Sequence, residues 1–149
     1  MISEIEPKLV DGKKFYDDRG SLLFVNELVL NNYKRFYVVE NHSKGFIRAW
    51  HGHLKEAKVF LAIEGSFLVG AVHITDPHNP SRETKVLRTV LNSDAPQALL
   101  IPPGYANGLM SLSESAKLLV LSSSSLEESQ GDDYRFPYNY WDIWAIENR

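Results

Sequence analysis

An all-β fold, with short strands wrapped around a common core, is what this 149-residue chain predicts. Three observations carry that reading. Apolar runs of strand length recur at close spacing, turn residues separate them, and no window sustains a 3.6-residue period. Eight or more strands so spaced, without intervening helices, specify a sandwich or barrel. A hydrophobic content of 44% over this length suffices for one core, so residues 1–149 are expected to form a single domain.

The strands are expected at residues 22–25, 34–39, 46–50, 58–63, 66–74, 83–91, 98–101 and 117–121, several of them rich in Val, Ile, Phe and Tyr. Turns fall at Asp17-Asp18-Arg19-Gly20, at Asn41-His42-Ser43-Lys44-Gly45, at Glu64-Gly65, at Asp76-Pro77-His78-Asn79-Pro80 and at Pro102-Pro103-Gly104. Side chains alternate along a strand, so Lys58, Phe60 and Ala62 share one face and Val59, Leu61 and Ile63 the other. In the same way Phe67, Val69, Ala71 and His73 share a face, and His73 reads as a buried, hydrogen-bonded histidine. Helix is expected only as a turn at 113–115 or 126–129, where Ser-Glu pairs can cap it. Residues 132–149 carry Tyr134, Phe136, Tyr138, Tyr140, Trp141 and Trp144. They are expected to form a C-terminal aromatic flap that packs on the barrel and closes an edge. The alternative is a platform for stacking a planar base.

A formal charge of −3 and a pI near 5.9 argue against a nucleic-acid-coating protein, which needs a basic face. Without cysteine there is no disulfide framework, thiolate nucleophile or cysteine-ligated metal. Residues 1–14 interleave Glu4, Glu6, Lys8, Asp11 and Lys13 with apolar side chains, unlike a signal peptide. No apolar run approaches the roughly 20 residues that span a bilayer. A cytoplasmic protein with no nucleic-acid or membrane partner is expected.

The run Ile47-Arg48-Ala49-Trp50-His51-Gly52-His53 is the most informative. On a strand, His51 and His53 point to one face, where paired imidazoles can bind a metal or move protons near neutral pH. Metal-binding cupins resemble the chain here, but Glu56 follows His53 too closely for their spacing. Asn107 stands where their last histidine belongs, in Pro102-Pro103-Gly104-Tyr105-Ala106-Asn107. An amide is a poor substitute for imidazole on a transition metal, so no metal or other cofactor is expected. Proton transfer needs only a base and a positive group to hold an enolate oxygen. Lys58 on the next strand and Arg48 on the histidine strand supply charge that also suits a phosphorylated substrate.

At these residues the chain resembles the dTDP-4-dehydrorhamnose 3,5-epimerase family and its cupin relatives, the dTDP-sugar 3,4-ketoisomerases. Asp18-Arg19-Gly20 matches their Asp-x-Arg-Gly turn, and Arg48-Ala49-Trp50-His51 sits where the epimerases carry Arg-Gly-Leu-His. Ala57-Lys58-Val59 matches the strand whose lysine lies near the sugar ketone. Ile101-Pro102-Pro103-Gly104-Tyr105-Ala106-Asn107-Gly108, followed by Leu112-Ser113-Glu114, is similar to Ile-Pro-x-Gly-Phe-Ala-His-Gly and its Leu-Ser. The resemblance implies a cupin-type, jelly-roll β-barrel and an isomerase of deoxysugar and surface-polysaccharide biosynthesis. Its substrate would be a nucleotide-linked 4-keto-6-deoxyhexose, epimerised at C3, or at C3 and C5. It implies His51 as base, Lys58 at the enolate oxygen, and His53 as orienting group or second base. Arg19 and Arg48 would hold the diphosphate, with Arg19 reaching the partner subunit's site in a homodimer.

Departures from the epimerase pattern sharpen the question. Val120 stands where those enzymes place their tyrosine acid, Asn107 replaces a site histidine, and the aspartate behind the base has no evident counterpart. Tyr105, Tyr138 and Tyr140 are the candidate replacements at the substrate. Arg48-Ala49-Trp50-His51-Gly52-His53 keeps both histidines of the ketoisomerase pattern Arg-Gly-x-His-x-His. Epimerisation is the main expectation, ketone migration from C4 to C3 the alternative, and a non-catalytic sugar- or nucleotide-binding barrel a third.

Overall fold

The computed structural model describes residues 6–149, so the first five residues of the charged leading segment lie outside the described residues. The elements in order are β1 (Lys8–Asp11), β2 (Lys13–Asp17), β3 (Gly20–Phe24), β4 (Arg35–Glu40), β5 (Ile47–His53), β6 (Lys58–Glu64) and β7 (Ser66–His73). They continue with β8 (Val86–Asn92), β9 (Gln97–Ile101), β10 (Tyr105–Ser111), β11 (Lys117–Ser122), α1 (Leu126–Gln130) and β12 (Tyr134–Arg135). One five-stranded sheet runs β1-β9-β6-β11-β4 and the other β12-β5-β10-β7-β8, while β2 and β3 pair apart as a hairpin. Every pairing is antiparallel, as the all-β, cupin-like expectation required.

Two cores follow from strand alternation. Phe60 and Ala62 of β6, Phe67, Val69 and Ala71 of β7, and Leu118 and Val120 of β11 meet between the sheets. Leu68 and Val72 of β7 point the other way and join Trp50, Ala106, Met110, Trp141 and Trp144. The second sheet is thus buried on both faces, which is why β7 reads as a continuous apolar run. The C-terminal tail makes this outer layer. Trp50 lies edge-on to Trp141 and tilted against Trp144, with ring centroids 5.4 and 5.3 Å apart. The indole N–H groups of Trp50 and Trp144 both donate to the Tyr138 carbonyl at 3.0 Å. The indoles of Trp141 and Trp144 are thereby buried in this layer.

Ser125 caps α1 in a capping box with Glu128, so the Ser-Glu signal at 126–129 marks a helix. At 113–115 the same signal makes only a turn, where the Ser113 hydroxyl accepts from the Ser66 amide and donates to the Ser115 carbonyl. β8 begins at Val86, three residues later than expected at 83. His73 is exposed at the end of β7, its ring 5.4 Å from that of Tyr105, and so is not the buried histidine its face suggested.

One irregularity shapes the site. β10 pairs with β5 as Asn107↔His51 and then Gly108↔Ala49, which leaves Trp50 as an extra residue on β5. The bulge reverses the alternation. Arg48 therefore shares a face with His51 and His53, while Trp50 turns outward into the tail layer. Gly108 is required opposite this bulge, since a Cβ there would lie 2.6 Å from the Ala49 Cβ and 3.0 Å from the Trp144 ring.

Candidate active site

The sheets part at one end to leave a cleft of about 390 Å³, a size suited to a small ligand. One wall is β5 and β10, presenting Arg48, His51, His53, Asn107 and Leu109. The facing wall is β4, β6 and β11, presenting Arg35, Tyr37, Val39, Lys58, Phe60 and Val120. Leu126, Ser129 and Gln130 of α1, with Asp133 and Arg135, form the rim. Four cationic side chains against the single carboxylate of Asp133 give the cleft a preference for anions.

On the β4 wall, alternation sends Arg35, Tyr37 and Val39 inward and leaves Phe36 and Val38 exposed. Lys58, itself buried, donates to the Tyr37 hydroxyl at 3.1 Å, so the phenol keeps its own hydrogen to offer a ligand. Tyr37 lies directly across from Val120 in the β4–β11 register. A phenol is therefore available one strand from where the epimerases carry theirs.

His51 sits between Asn107 of β10 and Arg135 of β12 in the strand register. Burial, then the charges of Arg135 and Lys58, bring its pKa down to about 4. Its ring is thus a neutral base at neutral pH. His53 is likewise held below the ordinary histidine value, by burial first and Lys58 second. Its Nδ1 lies 2.6 Å from the Asp132 carbonyl oxygen and 3.5 Å from the Glu56 carboxylate. Glu56 is buried and accepts from the hydroxyls of Ser122 and Ser129 at 2.5 and 2.8 Å. Arg48 donates to the Asn41 side chain at 2.6 Å, which fixes its guanidinium along the wall.

Of the residues expected from sequence, His51, His53, Lys58, Arg48 and Asn107 converge on the cleft. Arg19 does not: it lies at the tip of the β2–β3 hairpin, exposed and paired with Asp17. Tyr105, Tyr138 and Tyr140, the three candidate tyrosines, do not line the cleft. Tyr105 packs by His73 at the sheet end, Tyr138 is half exposed in the tail, and the Tyr140 hydroxyl donates to the Pro80 carbonyl. Tyr37, Arg35, Asp133, Arg135 and the Glu56–Asp132 support were not anticipated. The alternation of residues 35–39 carries the signal for Tyr37, whereas a two-residue strand such as β12 leaves none for Arg135. Among the described residues, no three His, Asp or Glu side chains converge to hold a metal ion.

Paired imidazoles facing a lysine–phenol pair, in a cationic cleft between two antiparallel sheets, define a cupin of the sugar-nucleotide isomerase class. Residues 5–142 match the family described as FdtA: WxcM-like, C-terminal, and the chain belongs to that family. No curated protein matches. Among solved structures, a double mutant of the QdtA 3,4-ketoisomerase from Thermoanaerobacterium thermosaccharolyticum, in complex with TDP, is similar at 26% identity. That match covers 97% of this chain and 96% of that one, with a TM-score of 0.67. The dTDP-4-dehydrorhamnose 3,5-epimerase from Sulfolobus tokodaii is similar at 25% identity over 96% of this chain and 83% of that one, TM-score 0.75. Another QdtA mutant, in complex with TDP-4-keto-6-deoxyglucose, shares the fold at 23% identity over 97% and 96%, TM-score 0.69. Among the described residues, no helix is long and apolar enough to cross a membrane.

Proposed function

We propose that the protein is an isomerase of a nucleotide-linked 4-keto-6-deoxyhexose, and that it begins by removing the C3 proton beside the ketone. The observation that carries this reading is His51, a neutral imidazole inside an anion-attracting cleft whose far wall presents the Lys58–Tyr37 pair. His51 takes the proton, and Lys58 and Tyr37 donate to the oxygen on which the enolate charge develops. Arg48, Arg35 and Arg135 hold the diphosphate, and Asn107 orients the sugar beside His51.

Two outcomes share this step and differ in where the proton returns. Delivery to C4, as the hydroxyl hydrogen on the C3 oxygen passes to the C4 oxygen, moves the ketone to C3; delivery to C3 from the opposite face inverts that carbon. Ketone migration has the stronger support, because two imidazoles share one wall and the ketoisomerase QdtA matches over nearly the whole of both chains. Epimerisation is supported by Tyr37, which offers a proton from the wall facing His51.

The assembly we propose is a cytoplasmic homodimer of single-domain chains, with residues 132–149 as the flap of each. Phe15, Tyr16 and Leu22 on the hairpin and Phe36 and Val38 on β4 are exposed apolar groups that a second copy would cover. Arg19 at the hairpin tip would then reach the partner's diphosphate. The test is incubation with TDP-4-keto-6-deoxyglucose in D₂O, read by NMR. The wild type should take up deuterium, and His51→Asn should lose roughly 10²–10⁴-fold of that rate. Undiminished exchange in the variant removes His51 as the base, and binding without exchange in the wild type makes the protein a passive carbohydrate binder.

A further inference from the structure

We infer that Asp132 is a positioning residue that fixes His53 as the tautomer with its hydrogen on Nδ1 and its lone pair on Nε2. The catalytic consequence rests on the reaction proposed above; the tautomer itself does not.

Asp132 is buried and held at three points. Its amide donates to the Ser129 carbonyl at the end of α1 at 3.1 Å. Its carboxylate accepts from three successive amides, those of Leu54 and Lys55 at 2.8 Å and of Glu56 at 3.0 Å, in the turn that follows His53. Its carbonyl oxygen lies 2.6 Å from His53 Nδ1. A carbonyl only accepts, so the hydrogen of that bond belongs to Nδ1. The second neighbour of Nδ1, the Glu56 carboxylate at 3.5 Å, is also an acceptor and favours the same assignment.

The other edge of the ring shows what the arrangement is for. His53 Nε2 is buried without a hydrogen-bond partner. A polar atom left in that state is costly. It is tolerated where a ligand supplies the missing partner, and His53 lines the cleft beside His51. Nε2 is thus presented as an acceptor for a sugar hydroxyl or carbon-bound proton. The clamp matters because the nearer of the two acceptors that set the tautomer is a main-chain oxygen, and that oxygen is located by its own residue's carboxylate.

The test is long-range ¹H–¹⁵N NMR of the imidazoles in the full chain, alongside turnover of TDP-4-keto-6-deoxyglucose. The wild type should show His53 with Nδ1–H and bare Nε2. Asp132→Asn sets an amide nitrogen against the 54–56 amides, and the ring should become a mixture of tautomers. Its kcat should fall at least about tenfold, a part of the roughly 10²–10⁴-fold that an acid–base group contributes, with KM unchanged. Glu56→Gln should retain the wild-type tautomer. An Nε2–H ring in the wild type, a tautomer unaltered by Asp132→Asn, or a mixture with undiminished kcat each overturns the inference. If Asp132→Asn does not fold, the wild-type spectrum and Glu56→Gln still decide: loss of the tautomer in Glu56→Gln overturns the role of Asp132. A wild type with Nδ1–H but no turnover refutes the proposed reaction and leaves the assignment supported.

Discussion

Replacing Arg135 by Gln should raise the pKa of His51 and move the acid limb of the reaction with it. In the native cleft that pKa lies at about 4 rather than the usual 6.5, a preference for the neutral ring of about 3 kcal/mol. Burial is the largest cause, Arg135 the next and Lys58 the third. Arg135 and His51 are direct cross-strand partners, but the guanidinium is largely exposed and paired with Asp133. Solvent screening reduces its effect to about 1 kcal/mol, so the variant's limb should rise by somewhat less than about one pH unit. The freed Asp133 carboxylate acts in the same direction. The neutral ring is the base, so activity is full above the pKa and lost as pH falls through it. Both kcat/KM profiles and a ¹H NMR titration of the His51 ring measure the limb. A substrate diphosphate offsets the Arg135 and Lys58 charges, so the limb in kcat should lie above that in kcat/KM. A wild-type limb near 6.5, or one that moves down in Arg135→Gln, refutes the electrostatic account.

Further outcomes follow from the same geometry. Trp144→Ala empties the outer core around Trp50 and should cost about 3–5 kcal/mol, measured by urea unfolding. A cost near zero would mean that the flap does not stabilise the sheet. Unfolded histidine protonates near 6.5 but folded His51 only near 4, so stability is intact above that window and falls as pH drops across it, by up to about 3 kcal/mol. His53 contributes with the same sign, and a urea midpoint that rises on acidification contradicts both. Phe36→Glu places a charge on the exposed face of β4 and should convert the proposed dimer to monomer in light scattering, with loss of activity. A variant that stays dimeric would put the second copy elsewhere.

Sequence and structure agree where local chemistry governs. The eight strand-length runs all correspond to strands, because alternation and turn residues are local signals. β10 was legible only as a motif, since Ala106, Asn107 and Gly108 lack the bulk that marks a strand, yet it runs through the middle of the second sheet. His51, His53 and Lys58 could be placed because strand parity aims them. The three tyrosines could not, because parity says nothing of which end of a sandwich opens or what a tail packs against. Tyr37 was within reach of the same alternation that placed the histidines. The Asp132 clamp was not: it joins a loop after α1 to the end of β5 and the turn behind it, more than seventy residues earlier, and each of its bonds has a main-chain partner that carries no residue-type signal.

The extra residue at Trp50 makes the charge of the cavity a matter of strand register as well as composition. Drawing Trp50 into regular pairing, with every residue kept, would restore simple alternation over 48–53 and set Arg48 and the two imidazoles on opposite sides. The ligand would lose its guanidinium, or its bases, with no side chain in the pocket substituted. A change of register at this one point is therefore a route by which such a barrel can exchange one chemistry for another.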